Sequence, residues 1–204
     1  MSKEELLDEL KKKMEKDESL PLKKGATNLV FGVGNSDAKV LCLGEGPGYW
    51  EDLKAKPFVG NAGKLLDSLL QSIELPREEV YITNVVHHRP SENRDPLPEE
   101  MTAYGVYLDK IIEIIDPKVV VTLGRFSMGK FLPMARISDV HGRKFIVKWK
   151  DKDLVIVPMH HPAAALRSGA VMEQIKNDFL KLKDVLNDIK NKQEKVKIEQ
   201  MNLC

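Results

Sequence analysis

The sequence predicts a three-layer α/β/α protein on a central four-stranded, mostly parallel sheet. Three observations predict it. Four short runs rich in apolar residues, at 40–43, 80–83, 118–123 and 154–157, alternate with segments whose apolar residues recur at helical spacing. Those runs are continuous rather than alternating, as strands buried on both faces are. The first ends in Gly44-Glu45-Gly46-Pro47-Gly48, a glycine-rich turn of the kind that opens an α/β unit.

Ser2 and Glu5 form a capping box ahead of Leu6, Leu7, Leu10 and Met14, so the chain opens with an amphipathic helix. Residues 19–37 hold Pro21, Gly25, Gly32, Gly34 and Asn35 and read as irregular connection. After the first strand, Leu65, Leu66, Leu69, Leu70 and Ile73 mark a helix. Residues 87–98 are polar and read as a loop. Leu108, Ile111, Ile112 and Ile115 mark a further helix face, and Phe145-Ile146-Val147 reads as a small hairpin arm before the fourth strand. Met172, Ile175, Phe179, Leu182, Leu186 and Ile189 mark a long last helix. We expect one domain over residues 1–190 and a polar C-terminal extension over 191–204.

Composition narrows the function. With 42% apolar and 31% charged residues, the 204-residue chain reads as globular. Its 32 Lys+Arg against 31 Asp+Glu exclude binding through bulk positive charge, though not through a local basic patch. Two cysteines, Cys42 and Cys204, exclude a disulfide framework and a four-cysteine metal cluster. No apolar run is long enough to span a bilayer and no signal-peptide core is present, so a cytoplasmic protein is expected, with no membrane partner.

In open α/β sheets ligands bind beyond the carboxyl ends of the strands. Here those ends read Gly44 to Gly48, Asn84, Gly124 and Met159-His160-His161-Pro162. The glycine turn is no P-loop, because no Gly-Lys-Ser/Thr follows, and it lacks the third glycine of a dinucleotide fingerprint. Glu45 within it would repel phosphate, and its burial costs free energy unless the carboxylate is used. His160 and His161 are adjacent and point to opposite sides of an extended chain, as do His87 and His88, so neither pair makes a metal site. Asn84 offers a donor and an acceptor together, which suits the edge of a nucleobase or a simple turn cap. Phe58 reads as core or as a stacking platform.

Taken together, Gly44-Glu45-Gly46-Pro47-Gly48, Glu51-Asp52 and the run from Pro57-Phe58-Val59-Gly60-Asn61 to Asp67 resemble the uracil-DNA glycosylase superfamily, most closely its family 4. Tyr81-Ile82-Thr83-Asn84, Arg89-Pro90, Asn93-Arg94-Asp95-Pro96, the run from Pro117 to Gly124 and His161-Pro162-Ala163 continue the resemblance, which covers about residues 17 to 185.

The resemblance implies a monofunctional glycosylase whose partner is uracil-containing DNA and which works as a monomer. It implies that uracil is flipped into a pocket, with Gly44 and Gly46 among the residues that bind it and Phe58 stacking on the base. Asn84 would pair with the uracil edge and Glu51 would guard against the thymine methyl. Glu45 would handle water and sugar charge, and His161 would donate to uracil O2 as charge develops there. Leu166 and Arg167 fall where the family inserts a wedge, and Arg89, Arg94, Lys56 and Arg167 are candidate phosphate contacts. Arg94 equally suits an ordinary solvated charge.

One departure is large. Family 4 resembles itself in four cysteines that hold an iron–sulfur cluster, and the equivalent positions here are Asp17, Leu20, His88 and either Ala103 or Tyr104. None is a thiolate, so no cofactor and no metal are expected, with packing by Leu20 and Tyr104 in the cluster's place. Three other readings stand beside the first: a glycosylase of this fold for another deaminated base, a uracil-DNA binder with little turnover, and a nucleotide-binding regulatory module. Glu51 argues against the first of these. The short 91–95 loop, without a basic insertion, argues against a covalent binder, and the missing phosphate loop argues against the third.

Overall fold

The protein is described here by a computed structural model covering the backbone of residues 1–201 and the side chains of residues 1–191. Cys204, singled out above, lies outside the described residues. Helix α1 (Lys3–Lys16) begins at the expected capping box: Ser2 Oγ accepts the Glu5 N–H while the Glu5 carboxylate accepts the Ser2 N–H. Then follow β1 (Val33–Gly34), β2 (Val40–Gly44), α2 (Tyr49–Lys54), α3 (Asn61–Ser72), β3 (Tyr81–Asn84) and α4 (Pro98–Ile115). The second half holds β4 (Val119–Leu123), α5 (Arg125–Gly129), α6 (Ile137–Val140), β5 (Phe145–Trp149), β6 (Lys152–Met159), α7 (Pro162–Ala165) and α8 (Gly169–Met201). Helix α8 continues past residue 190, the boundary expected from composition.

The strands lie in the order β1-β3-β2-β4-β6-β5. The inner four, β3, β2, β4 and β6, are mutually parallel and are the four read from the sequence. The expected strand count of four is nonetheless corrected to six, because an antiparallel strand is added at each edge. On one side, Val33 and Gly34 pair with Ile82 and Tyr81. Such a short strand in a glycine-rich stretch carries no apolar period. On the other, the hairpin arm joins the main sheet, since β6 begins at Lys152 and pairs with β5 from its first residue.

Continuous apolar strands bury both of their faces. On one side, Leu41, Leu43 and Val120 pack with Leu7 and Met14 of α1 and Leu108, Ile111 and Ile112 of α4. On the other, Cys42, Ile82 and Val121 pack with Leu66 and Leu70 of α3 and Ile175, Phe179 and Leu182 of α8. Fully burying such a side chain contributes about 1.5–3 kcal/mol, which makes this sandwich the dominant stabilising element. The chain leaves β2 for β3 on one side and returns to β4 on the other. That reversal opens a crevice at the carboxyl ends, where α/β proteins bind ligands.

Candidate active site

A cavity of about 570 Å³ opens at that crevice. Among its lining residues are Glu45 and Gly46 after β2, Asn84 at the end of β3, Gly124 after β4, and His160 and His161 after β6. Glu51, Phe58 and Arg167 complete the part of it that the sequence pointed to.

The β2 turn is held by continued pairing beyond the strands: Val85 N donates to Gly44 O at 3.0 Å and Val86 N to Glu45 O at 3.1 Å. Gly44 lies under the cavity floor. A Cβ there would come within 2.3 Å of Asn84 Oδ1 and 2.6 Å of the Phe58 ring, so no other residue leaves room for both. Glu45 is partly buried, and burial raises its pKa to about 7. The nearby Asp95 carboxylate pushes the same way, and Arg125 opposes it. Asp95 and Arg125 are themselves ion-paired.

Asn84 is buried, and its Oδ1 has no hydrogen-bond partner. A buried polar atom left in this state costs on the order of 1–3 kcal/mol unless something arrives to pair with it. Phe58 is held at a φ of 52°, a left-handed conformation that a bulky side chain adopts only under constraint. Arg77 supplies the constraint, donating to Phe58 O at 3.1 Å, Pro57 O at 2.7 Å and Asp67 Oδ1 at 2.7 Å. The Phe58 ring lies 5.8 Å from that of His161, tilted by 29°. Glu51 Oε1 accepts the N–H groups of Val59 and Gly60, both at 2.9 Å, which fixes its carboxylate at the cavity edge.

His161 Nδ1 accepts the Ala163 N–H at 3.1 Å, so its other nitrogen carries the proton in the neutral ring. Burial lowers its pKa to about 4; the neighbouring Arg167 adds to this, and Glu51 opposes it. The imidazole is therefore neutral at physiological pH. His160 turns its ring onto His141, 4.4 Å away, whose Nδ1 lies 2.6 Å from Asp178 Oδ2. Part of His160 still borders the cavity, so the separation of the two imidazoles is less complete than strand alternation suggests.

Two other site residues, Leu166 and Arg89, fall outside the cavity lining. Leu166 is about half exposed just after α7. Arg89 donates to Asn93 Oδ1 at 2.8 Å and lies over the Tyr49 ring. Arg94, an exposed residue at the cavity edge, donates to both oxygens of the buried Glu100, at 2.9 and 2.6 Å. Sequence reasoning missed Arg77, the Asp95–Arg125 pair and the His141–Asp178 pair.

The corner at Asp17, Leu20, His88 and Tyr104 does not suit an iron–sulfur cluster. Tyr104 is fully buried, and its hydroxyl lies 2.8 Å from His88 Nδ1. Leu20 packs in the same core, and Asp17 accepts the Tyr107 hydroxyl at 2.7 Å. Cys42 faces the opposite side of the sheet, where burial raises its thiol pKa to about 12. A corner without thiolates lacks the donors that such clusters use. Among the described residues no group of three or more His, Cys, Asp and Glu side chains is arranged to hold a metal ion.

A parallel sheet whose switch-point cavity brings together an orphaned amide, an aromatic ring, a carboxyl and a neutral imidazole offers an arrangement that can hold a flat, polar-edged ligand. Comparison gives the family. Residues 31–188 match the model of the uracil DNA glycosylase superfamily, and the chain belongs to that superfamily. It is 43% identical over 183 residues to a type-4 uracil-DNA glycosylase of Archaeoglobus fulgidus, covering 87% of this chain and 92% of that one. It is 42% identical to the type-4 enzyme of Sulfurisphaera tokodaii, over 78% of this chain and 75% of that one. The corresponding protein of Thermotoga maritima is 41% identical over 82% of this chain and 86% of its own length. No helix among the described residues is long and apolar enough to cross a membrane.

Proposed function

We propose that this chain is a monofunctional uracil-DNA glycosylase that flips uracil from DNA, hydrolyses its N-glycosidic bond and leaves an abasic site. The observation that carries the reading is the orphaned Asn84 Oδ1, buried in the same cavity as Glu45, Phe58 and His161. The chain's similarity to type-4 uracil-DNA glycosylases supports it. A monomer, DNA as the partner and work in the cytoplasm belong to this reading.

A flipped uracil would stack on Phe58 and give its N3–H to Asn84 Oδ1, while the Asn84 amide N–H donates to O4. Cytosine presents the reverse pattern and would leave both groups unpaired. Glu51, pinned by Val59 and Gly60, has no freedom to retreat from a 5-methyl group. As the bond from C1′ to N1 breaks, its electron pair moves onto the base. His161 Nε2–H then donates to O2, an interaction that strengthens as the charge develops. Glu45 orients water toward C1′ and, when ionised, stabilises the oxocarbenium-like sugar. Water supplies hydroxide to C1′ and one proton to the products. Arg89 and Arg167 serve as phosphate contacts and Leu166 as the wedge. No metal or cluster enters any step, and Leu20, His88 and Tyr104 fill the corner where the family resemblance implies one.

The test is incubation of the protein, in chelator, with end-labelled DNA carrying one uracil. Free uracil and an abasic site are expected. A stable protein–DNA adduct, or DNA retained intact, would replace this reading with that of a binding protein. Release of another deaminated base, with uracil left in place, would keep the fold's chemistry and change the substrate.

A further inference from the structure

Helix α2 is short and follows directly on the Gly44–Gly48 turn. Its two acidic residues turn inward. Glu51 is taken up by the backbone N–H groups of Val59 and Gly60. Asp52 is buried and accepts the N–H groups of Thr27 and Asn28 at 2.9 Å each. What remains outside is aromatic, apolar and cationic: Tyr49, Trp50 and Leu53 are each more than half exposed. The two rings meet edge to face at 5.2 Å. Arg89 lies over Tyr49 at 5.3 Å and Lys54 over Trp50 at 5.9 Å. The pair sits between Gly48 and Glu51, both of which line the cavity.

Exposed aromatic rings bordered by cations, with the nearby carboxylates withdrawn, match the chemistry of a single-stranded nucleic acid. Bases stack on the rings and phosphates meet the cations. We infer that Tyr49 and Trp50 are a stacking platform for an unpaired base next to the target nucleotide, engaged by single-stranded DNA. In a duplex the neighbouring bases remain stacked on each other and have no need of it. The inference rests on the glycosylase reading above and adds a second contact outside the uracil pocket.

Two measurements on the full chain test it. Titration with a single-stranded oligonucleotide that contains thymine in place of uracil should quench the emission of Trp50, and Trp50→Phe should remove that change. In single-turnover excision, Tyr49→Ala/Trp50→Ala should raise the half-saturating concentration of single-stranded uracil DNA about 5- to 100-fold. The rise for the matching duplex should be several-fold smaller. Trp50→Phe should restore most of the affinity, and Leu180→Ala, an exposed apolar side chain on α8, is the control for a general surface effect. Unchanged affinity in the double variant, with uracil excised normally and no quenching, would overturn the platform. So would equal losses on single-stranded and duplex DNA. Concentration-dependent dimerisation abolished by the double variant, with no effect on DNA, would make the patch a self-association surface instead. Quenching without any uracil release would uphold the platform and overturn the glycosylase reading.

Discussion

His161 Nδ1 accepts the Ala163 N–H at 3.1 Å, and that one hydrogen bond decides which ring nitrogen bears a proton. A neutral imidazole has a single N–H, so Nε2 becomes the donor. Burial keeps the ring neutral by lowering its pKa to about 4. The side chain can thereby donate a hydrogen bond from Nε2 across the physiological range, as the proposed role requires.

The variant His161→Ala should accordingly lower the single-turnover rate on the order of 100- to 1,000-fold while leaving affinity for abasic DNA within a few-fold. His160→Ala should cost far less rate, because its ring packs on His141 rather than facing the reacting atoms. The opposite ranking would mean that the two imidazoles have exchanged roles.

Glu45 should impose the pH dependence. Its pKa, raised to about 7, predicts that excision efficiency by the free protein rises with pH and levels off above about 7. Glu45→Gln should be slower and lack this inflection. Stability has the opposite sign. Between its ordinary value of 4.5 and about 7, the unfolded chain has released the proton and the folded one retains it. Ionising Glu45 therefore lowers stability as pH rises through that window. Glu45→Gln should be the more stable protein at about pH 8, by on the order of 1–2 kcal/mol once the shift is discounted for the solvent that screens a partly exposed carboxyl, and should melt at a higher temperature. That gain vanishes below about pH 4.5. A lower melting point for this variant at alkaline pH would contradict the burial argument.

Asn84→Asp replaces the amide donor by a second acceptor, so uracil O4 loses its partner and meets a carboxylate. A site built on buried polar pairing discriminates strongly, and uracil excision should fall by at least about 1,000-fold. Normal uracil excision by this variant would remove Asn84 from base recognition.

The corner at His88 and Tyr104 predicts a colourless protein, active in chelator, and a particular acid lability. Burial lowers the pKa of His87 to about 3 and that of His88 to about 4, both below the ordinary 6.5. As pH falls below 6.5 the unfolded chain takes up protons that the folded chain refuses, so stability is lost progressively down to about 3, the lower of the two values. Melting temperature followed across that range should fall steadily. Tyr104→Phe, which strips His88 Nδ1 of its partner, should cost about 1–3 kcal/mol at neutral pH. A brown protein that needs iron for activity would contradict this account of the corner.

The inner sheet was legible because its strands are buried on both faces and so read as unbroken apolar runs, with helices between them at a different period. The strand ends then brought Glu45, Asn84 and His161 together by topology alone. The edge strands were less legible: β1 has two residues, and its pairing is set by Ile82 and Tyr81 rather than by its own pattern. Arg77 was invisible for another reason. Its partners Phe58, Pro57 and Asp67 lie 10 to 20 positions away, and no local period encodes a contact of that kind. The same holds for the Asp95–Arg125 pair beside Glu45 and for the capture of Arg94 by Glu100.

In the function proposed here this cavity hydrolyses the glycosidic bond of uracil and of no ordinary base, using protein groups alone. The most direct measurement is single-turnover base release, in chelator, from three oligonucleotides identical except for uracil, thymine or cytosine at one position. Rapid release of uracil is expected, with an abasic site left behind and thymine and cytosine retained. Retention of uracil by the folded protein, or comparable release of all three bases, would contradict it.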